Sequence, residues 1–323
     1  MKRPAWALAA LSAVAVAASL PAGAQQFPEK NVRILVPFPP GGGTDIQARI
    51  LSTAFQKSTG HNFIVDNRTG ASGLIAAQLT VDSPPDGYTL LFTSGSISVV
   101  ATLRAKQMKF DIYKDLKPVS WISSTPLVLT VHPSVPAKTV KQLVALAKRR
   151  KEPLVAGGNT AGSTAHLTAE MFNQTVGIHS TVVTFRGGGP AVIALISGET
   201  DYIFATAPSI MPHIKSGKAR ALAVTTPKRS SALPDLPTMN SFYPGFESWN
   251  WYAMFYPKGT PDAIVAKMDG EIRKALESKE VKDFYPKQAL DPIGSGPDEL
   301  AKLLKSEIEK YAKVIKAAKI PTT

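Results

Sequence analysis

The sequence predicts an α/β fold organised as two domains. Short apolar runs alternate with helical patterns along the chain, which is typical of strands that alternate with helices. The alternation restarts after an extended stretch at 126–131, and a second extended stretch covers 246–256. With 323 residues and 44% hydrophobic content, the chain can bury two cores. Two α/β units joined by two extended crossings form the layout of a hinged, two-lobed protein.

The first unit is predicted to contain three strands and two helices. A buried strand at 32–38 leads into the loop 39–43, and Thr44 opens a helix that Gly60 ends. Thr44 is expected to cap this helix, with Gln47 placed for a capping box. The remaining elements are strands at 63–65 and 88–93 and a helix at 74–79, which follows the glycine-rich turn 67–73.

The second unit repeats the alternation, and a helical C-terminal part follows it. Pro261 is expected at the first position of a helix capped by Thr260, and Pro297 is expected to begin the last helix. The predicted helices of the second unit cover 139–148, a segment through Leu167 and Met171, and 191–196, and its predicted strands cover 154–156, 181–185, 202–204 and 219–224.

The N-terminal residues have the pattern of a secretory signal peptide. Lys2 and Arg3 precede an apolar run at 5–20, and 21–24 end in the small-x-small pattern that a signal peptidase cleaves. The run is short of the roughly 20 residues that span a bilayer, which disfavours a membrane anchor. We therefore expect residues 1–24 to be removed and the mature protein to start at Gln25 in the periplasm. Loss of Lys2 and Arg3 lowers the formal net charge from +13 to +11.

Composition and motifs exclude several classes of site. The chain has no cysteine, which excludes disulfides, thiolate nucleophiles, cysteine-bound metals and a cysteine-linked lipid anchor. Its five histidines are scattered without metal-ligand spacing. There is no G-x-S-x-G elbow and no P-loop, and 41–43 lack the later glycine of G-x-G-x-x-G. We therefore expect no catalytic residues, no metal and no cofactor.

The basic residues do not indicate a nucleic-acid partner. They are dispersed, and their only run, 148–151, closes a predicted helix, where positive charge complements the helix C-terminus. Export would also separate the chain from nucleic acid. The positive balance could instead help to attract anionic ligands.

Two glycine loops, one in each unit, are the strongest local signal. Gly41, Gly42 and Gly43 lie between a strand and a helix, and 157–164 do the same before the helix that contains His166. Each loop presents backbone N–H groups at the positive end of a helix dipole, which suits an anion. One such loop alone could be only a tight turn, but two favour a shared anion site at the junction of the units.

Three residues near these loops each have two interpretations. Asp45 could be present only because the helix dipole favours a carboxylate in the first turn. Alternatively, it could face the cleft and select a ligand with an amino or hydroxyl donor. His166 either faces the cleft or packs its helix. Arg186 either pairs with a distal ligand carboxylate or lies on the surface. The aromatic run 246–256 is expected mainly to pack the core and hinge, with a platform for a sugar or an aromatic ligand as the alternative.

Longer motifs resemble a known receptor family. The segments FPEKNVRILVPFPPGGGTDIQAR, VDNRTGASG and SPPDGYTLLFTS are similar to the Bug (Bordetella uptake gene) family of extracytoplasmic solute receptors, the periplasmic components of tripartite tricarboxylate transporters. The similarity continues through FRGGGPAVIALISGETDYIF to PKGTPDAIVAKMDGEIRKAL and covers essentially the whole mature chain. It implies a type II periplasmic-binding-protein fold, in which two Rossmann-like domains joined by two crossing segments close around a ligand cleft. We place domain 1 at 25–125 plus 248–323 and domain 2 at 126–247.

The resemblance also implies which loops hold the ligand. In that family the loops after the first strand of each domain grip a ligand carboxylate, partly through ordered water, and they match 38–45 and 158–163 here. Pro39 and Pro40 depart from the small residues of many members, which would stiffen the first loop and narrow the pocket. The candidate ligand-binding residues are Phe38, Gly41, Gly42, Gly43, Thr44, Asp45, Thr93, Ser94, Asn159, Thr160, Gly162, Ser163, Thr164, His166, Arg186 and Thr206.

The predicted function is therefore non-catalytic. A monomeric receptor would capture a small organic carboxylate and deliver it to membrane permease subunits. The ligand could be a dicarboxylate, a tricarboxylate, an amino acid or an aromatic carboxylate, since family membership does not fix it. A periplasmic sensor that signals through a membrane kinase would use the same site, and a secreted hydrolase is the alternative from another class. A nucleic-acid-binding regulator would need an added DNA-binding module.

Overall fold

The computed structural model describes residues 27–317 and residue 322, so the predicted signal peptide, residues 1–24, lies outside the described residues. The strands are β1 (Val32–Val36), β2 (Phe63–Asn67), β3 (Thr89–Ser94), β4 (Leu116–Val131), β5 (Leu154–Gly158), β6 (Ser180–Thr184), β7 (Tyr202–Thr206), β8 (Arg220–Val224), β9 (Trp249–Pro257) and β10 (Asp291–Pro292). The α-helices are α1 (Gly43–Thr59), α2 (Leu74–Val81), α3 (Ser96–Leu103), α4 (Ile112–Asp115), α5 (Val140–Arg149), α6 (Thr164–Val176), α7 (Gly188–Ile196), α8 (Ala207–Lys215), α9 (Asp262–Glu277), α10 (Lys279–Phe284) and α11 (Pro297–Ala317).

The long strand β4 joins two sheets. Its first part, Leu116 to Pro126, pairs with β9, whereas Leu127 to Val131 pair with β7 and β8. The strand order through β4 is β2-β1-β3-β9-β4-β7-β5-β6. We call lobe 1 the part built around β1, β2, β3, β9, β10 and the first part of β4. Lobe 2 is the part built around β5 to β8 and the end of β4.

The chain returns to lobe 1 beside the point where β4 changes sheets. The Thr225 N–H donates to the carbonyl of Leu127 at 3.0 Å, and the Ser248 N–H donates to the carbonyl of Thr225 at 3.1 Å. The Thr225 hydroxyl also accepts a hydrogen bond from the Leu127 N–H at 3.0 Å. Both connections between the lobes therefore pass through one small hydrogen-bonded group of residues, which is the geometry that a hinge requires.

Helices cover both faces of each sheet. In lobe 1, Ile34 and Leu35 are adjacent in β1 and belong to two different cores, since successive strand residues point to opposite faces. In lobe 2, Leu127 and Val128 divide in the same way between a core beneath α5 and α6 and a core beneath α7 and α8. Parallel strands covered on both faces are apolar at nearly every position, which explains runs such as 32–36. The predicted α/β fold is confirmed.

The lobes touch away from the hinge as well. Leu103 and Tyr311 of lobe 1 share a buried cluster with Leu167 of lobe 2. The hydroxyl of Ser72 in lobe 1 donates to the carbonyl of Ala161 in lobe 2 at 2.8 Å. These contacts join residues outside the two connecting strands, so the two lobes are closed against each other.

Some local predictions are corrected. Gly42, not Thr44, is the N-cap of α1 and has no side-chain cap. The predicted capping box is absent because the Gln47 side chain instead accepts hydrogen bonds from the Ser123 and Tyr285 hydroxyls. Pro261 is the N-cap of α9, so Asp262 takes the first helical position. Helices α3, α4, α8 and α10 were not predicted. The α3 sequence, SISVVATL, is rich in β-branched residues, and its buried length lacks the polar face that would distinguish a helix from a strand.

Within the described part of the chain, no helix combines the length and apolar character needed to cross a membrane.

Candidate functional site

A narrow cavity lies between the lobes, next to the hinge. Residues from the ends of β1, β3, β5 and β7, from the helices that follow them, from α7 and from β9 surround it. It is lined by Phe38, Gly42, Gly43, Thr44, Ser94, Ser96, Leu127, Asn159, Ser163, Thr164, Ala165, Gly188, Thr206, Asn250 and Tyr252.

Five helices begin at this cavity. Gly43 is the first residue of α1, Ser96 of α3, Thr164 of α6 and Gly188 of α7, and Thr206 is the N-cap of α8. The topology explains the convergence, because in an open α/β sheet the helices start at the carboxyl ends of the strands, where ligands bind. Each helix start offers free N–H groups and the positive end of a dipole. All five dipoles therefore point their positive ends at the cavity.

No Lys, Arg, His, Asp or Glu is among the residues that line the cavity. Its positive potential therefore comes from peptide dipoles, and its hydrogen-bonding groups are backbone N–H groups, hydroxyls and the Asn159 and Asn250 amides. Such fixed neutral donors bind an anion without presenting a buried charge of their own in the empty state.

The Tyr252 hydroxyl is fully buried at this cavity and forms no hydrogen bond of good geometry with the described residues, although the Asn250, Thr206 and Gln47 side chains lie near it. Tyr252 is fully buried on β9. Burial raises the pKa of its phenol to about 12, and the nearby Asn250, Thr206 and Gln47 side chains offset that rise only in part. The phenol is therefore protonated at neutral pH and can donate a hydrogen bond to a carboxylate oxygen. An unpaired buried hydroxyl is costly, so a bound acceptor here would be favoured.

Two triple-glycine turns, 41–43 in lobe 1 and 187–189 in lobe 2, approach each other closely at the cavity. A methyl group on Gly189 of lobe 2 would lie 2.7 Å from the Pro40 carbonyl oxygen of lobe 1. A methyl group on Gly42 would lie 3.6 Å from the Gly189 nitrogen. The two triple-glycine turns therefore meet across the cleft, which is possible because neither carries side chains there.

The structure brings together the larger part of the predicted site. These residues come from both lobes and from the loops that the sequence singled out, although their contact with a ligand stays a prediction. The predicted residues that line the cavity are Phe38, Gly42, Gly43, Thr44, Ser94, Asn159, Ser163, Thr164 and Thr206.

Asp45 lies outside the cavity lining because its carboxylate is fully used within lobe 1. It accepts hydrogen bonds from Asn67 Nδ2 at 3.0 Å and from the Gly41 N–H at 3.1 Å, and it forms an ion pair with Arg49 at 2.9 Å. The hypothesis that Asp45 faces the cleft is therefore corrected. Gly41 likewise turns its N–H to Asp45 and does not line the cavity.

His166 and Gly162 also bond to each other rather than lining the cavity. The Gly162 N–H donates to His166 Nδ1 at 3.2 Å, and His166 Nε2 lies 3.8 Å from Glu170. Burial lowers the pKa of His166, so its neutral form is favoured. A methyl group on Gly162 would meet Leu103 of lobe 1. His166 therefore organises its own loop and does not face the cavity.

Three more predicted residues lie outside the lining. Thr93 is adjacent to Ser94 in β3, and alternation along the strand turns it to the other face. The Thr160 hydroxyl is buried outside the cavity. Arg186 is exposed and outside the cavity lining, and its pairing with a distal ligand carboxylate stays a prediction.

The residues missed in the sequence come from the connecting strands β4 and β9, from the unpredicted helix α3 and from the starts of α6 and α7. The missed lining residues are Ser96, Leu127, Ala165, Gly188, Asn250 and Tyr252. Gly188 carried a usable signal, since it belongs to the second triple-glycine turn. Asn250 and Tyr252 sit in the aromatic crossing, which otherwise packs as expected. Trp251 is fully buried in lobe 1, and its indole N–H donates to Glu307 at 3.3 Å.

The described residues contain no group of three or more His, Cys, Asp or Glu side chains that could hold a metal ion.

Comparison with known proteins identifies the family. Residues 47–320 match the tripartite tricarboxylate transporter family receptor. Protein BugT of Bordetella pertussis is 35% identical over 298 residues, which cover 92% of this chain and 91% of BugT. An R. palustris protein solved with adipate is 33% identical, with a TM-score of 0.88 over 91% of this chain and 99% of that one.

Two further solved structures have the same fold. MatC from Rhodopseudomonas palustris with bound malate is 28% identical, with a TM-score of 0.83 over 90% of this chain and 100% of MatC. The periplasmic binding protein BugD is 28% identical, with a TM-score of 0.88 over 92% of this chain and 100% of BugD. The type II periplasmic-binding-protein fold is thereby confirmed, and the relatives are solute-binding receptors rather than enzymes. The chain belongs to the family of tripartite tricarboxylate transporter receptors.

Proposed function

We propose that this receptor captures a small organic carboxylate in the cavity between its lobes and delivers it to the membrane permease subunits of a tripartite tricarboxylate transporter. The observation that carries the proposal is the convergence of five helix N-termini on a cavity with no acidic side chain in its lining. An anion is the ligand that this arrangement favours.

The relatives support a carboxylate as that anion. One R. palustris relative was solved with adipate and MatC with malate, and both are dicarboxylates. Beside the helix N–H groups, this cavity has three side chains that can donate directional hydrogen bonds to a ligand: the Tyr252 hydroxyl and the Asn159 and Asn250 amides. A flat carboxylate with two acceptor oxygens fits such a set of donors.

Capture works as a shift between open and closed forms. A ligand that touches Gly43 and Thr44 from lobe 1 and Ser163 and Thr164 from lobe 2 gains contacts to both lobes only when they close. Closure about the β4 crossing would then be favoured by the difference in contacts. No bond in the ligand is made or broken.

The remaining features follow from the sequence. Residues 1–24 would direct export to the periplasm and be cleaved, leaving a monomer that diffuses between ligand and permease. Domain 1 would comprise 25–125 plus 248–323 and domain 2 would comprise 126–247, which move about the hinge as rigid units.

A thermal-shift screen of the mature protein tests the proposal. Adipate, malate, citrate and a monocarboxylate are compared with neutral sugars at equal concentration and ionic strength. A ligand that binds only the folded state stabilises it by about 2.7 kcal/mol when the ligand concentration is one hundred times its Kd. This stabilisation raises Tm. We expect at least one carboxylate to raise Tm. Shifts with neutral sugars alone would show that the cavity does not select carboxylates.

A further inference from the structure

The two loops that meet at the cavity are built by the same hydrogen bond. In lobe 1, the Gly41 N–H donates to the side chain of Asp45, the third residue of α1. In lobe 2, the Gly162 N–H donates to the side chain of His166, the third residue of α6. In each case the donor precedes the acceptor by four residues.

The backbone of the two donors is also the same. Gly41 has φ of +82° and Gly162 has φ of +77°, which is the left-handed region that favours glycine. Each glycine immediately precedes the N-cap of its helix, Gly42 in one lobe and Ser163 in the other. In an ordinary capping box the third helical residue bonds back to the N-cap N–H, whereas here it bonds back one residue further. Both lobes thus carry one variant of the box, at the cavity.

We propose that Asp45 and His166 are paired positioning residues, which hold the two loops of the ligand cleft in the shape that aims their N–H groups into the cavity. Gly42 and Gly43 follow the first bond and line the cavity, and Ser163 and Thr164 follow the second. Losing either bond would release a left-handed turn and move those lining residues. This role rests on the proposed carboxylate-binding function.

The two acceptors differ in one chemical respect. The carboxylate of Asp45 is supported by Arg49 and Asn67, whereas His166 must keep Nδ1 unprotonated to accept the Gly162 N–H. Histidine is the side chain whose charge ordinarily changes between pH 5 and 8. Glu170 on the same helix is the charged group facing the ring, and His179 is the titratable neighbour of Glu170. Gly158 of β5 packs against the His166 side chain without charge.

Amide hydrogen exchange of the ligand-free protein tests the two bonds directly. We expect His166→Ala to speed exchange of the Gly162 N–H at least about 10-fold and Asp45→Ala to do the same for Gly41, because each amide loses its acceptor. Glu170→Gln and Arg49→Gln are matched controls, since each removes another partner of the same side chain and leaves the glycine bond in place. Unchanged exchange of Gly41 and Gly162 in the alanine variants would overturn the inference.

The pH dependence of adipate binding tests the consequence. His166→Asn supplies a neutral acceptor with the reach that Asp45 already has, so it should bind adipate as the wild type does at about pH 7.5. As pH falls from about 6.5 to about 5, we expect wild-type affinity to fall about 3- to 10-fold relative to this variant. The ratio of the adipate affinities of the wild type and His166→Asn is compared at each pH, because the titration of adipate itself affects both proteins equally.

The outcomes separate this inference from the proposed function. If the ratio of wild-type to His166→Asn affinity stays constant down to about pH 5, the role of His166 is contradicted, even if adipate binds well. Failure of the wild type to bind adipate at any pH would count against the ligand assignment alone, because the glycine exchange rates are measured without ligand. His166→Ala should bind adipate more weakly than His166→Asn at every pH, and equal affinity of these two variants would also overturn the inference.

Discussion

Gly43 of lobe 1 lies so close to Thr206 of lobe 2 that a methyl group on its Cα would stand 2.7 Å from the threonine hydroxyl oxygen. The same methyl group would also meet the Tyr252 hydroxyl. Gly43 has helical backbone geometry at the start of α1, which any residue can adopt. Glycine is required here because there is no room for a Cβ atom. The closed cavity therefore depends on the missing side chain at this position.

Gly43→Ala should weaken carboxylate binding without unfolding the protein. Inserting a methyl group between packed atoms costs about 1–3 kcal/mol, or roughly 5- to 150-fold in affinity, if the lobes cannot separate. In the open form the Thr206 contact is absent, but the Tyr252 contact lies within lobe 1 and remains, so the ligand-free Tm should fall as well. Calorimetric titration of the carboxylate found in the screen measures the loss. Gly42→Ala is the matched control, with a much smaller loss expected because its nearest new contact is at 3.6 Å.

Tyr252→Phe should change affinity and stability in opposite directions. The Tyr252 hydroxyl is buried and forms no hydrogen bond of good geometry with the described residues, so its removal should leave the ligand-free protein equally stable or about 1 kcal/mol more stable. If a ligand oxygen accepts from this hydroxyl, affinity should fall about 2- to 10-fold. Tm and calorimetric titration are measured on the same preparation.

Tyr256→Phe provides the control for that experiment. Tyr256 is also buried on β9 with a hydroxyl that lacks a partner in the described part of the chain, but it lies in the core of lobe 1 and not at the cavity. We expect a similar Tm and an unchanged affinity. Equal affinities of the wild type and Tyr252→Phe would show that the hydroxyl does not contact the ligand.

The sequence alone predicts most of the cavity residues that belong to glycine turns and helix starts. Glycine turns between a strand and a helix predicted Gly42, Gly43, Ser163 and Thr164 at a common cavity, because helix starts in parallel α/β sheets fall on one edge. Residues that reach the cavity from a crossing strand carry no such signal. Asn250 and Tyr252 sit among Trp and Phe residues that pack the core, and only the alternation of β9 selects which of them face the cavity.

The direction in which a side chain points is the second feature of the site that the sequence does not predict. Asp45 and His166 were rightly associated with the two loops, but periodicity does not show whether a side chain in the first helical turn points forward to a ligand or back to its own loop. The structure decides this through the neighbours: Asn67 and Arg49 occupy the Asp45 carboxylate from the lobe 1 side. Those neighbours are distant in sequence or exposed on the helix, so a local pattern does not reveal them.

Gly189→Ala should prevent full closure. Its added methyl group would lie 2.7 Å from the Pro40 carbonyl oxygen across the cleft, and that backbone oxygen sits in a loop stiffened by two prolines. Small-angle scattering with and without the carboxylate measures the compaction on binding, which we expect to shrink in this variant. Gly188→Ala, whose nearest new contact is at 3.5 Å, is the matched control. Wild-type compaction in Gly189→Ala would show that the two glycine turns do not limit closure.

Asp66 should contribute stability that is lost in acid. Burial acts to raise its pKa, but hydrogen bonds and charge from Arg68 and Arg33 outweigh it and hold the pKa below the ordinary 3.8. A carboxylate with a depressed pKa stabilises the folded state above its ordinary value and loses that contribution as pH falls through the lowered one. Asp66→Asn should therefore lower the free energy of unfolding by about 1 kcal/mol at neutral pH, with the gap to the wild type closing below about pH 4 in urea titrations. Asp262→Asn, which breaks an exposed pair with Lys117, should change stability much less, and a gap for Asp66→Asn that persists in acid would contradict the assignment.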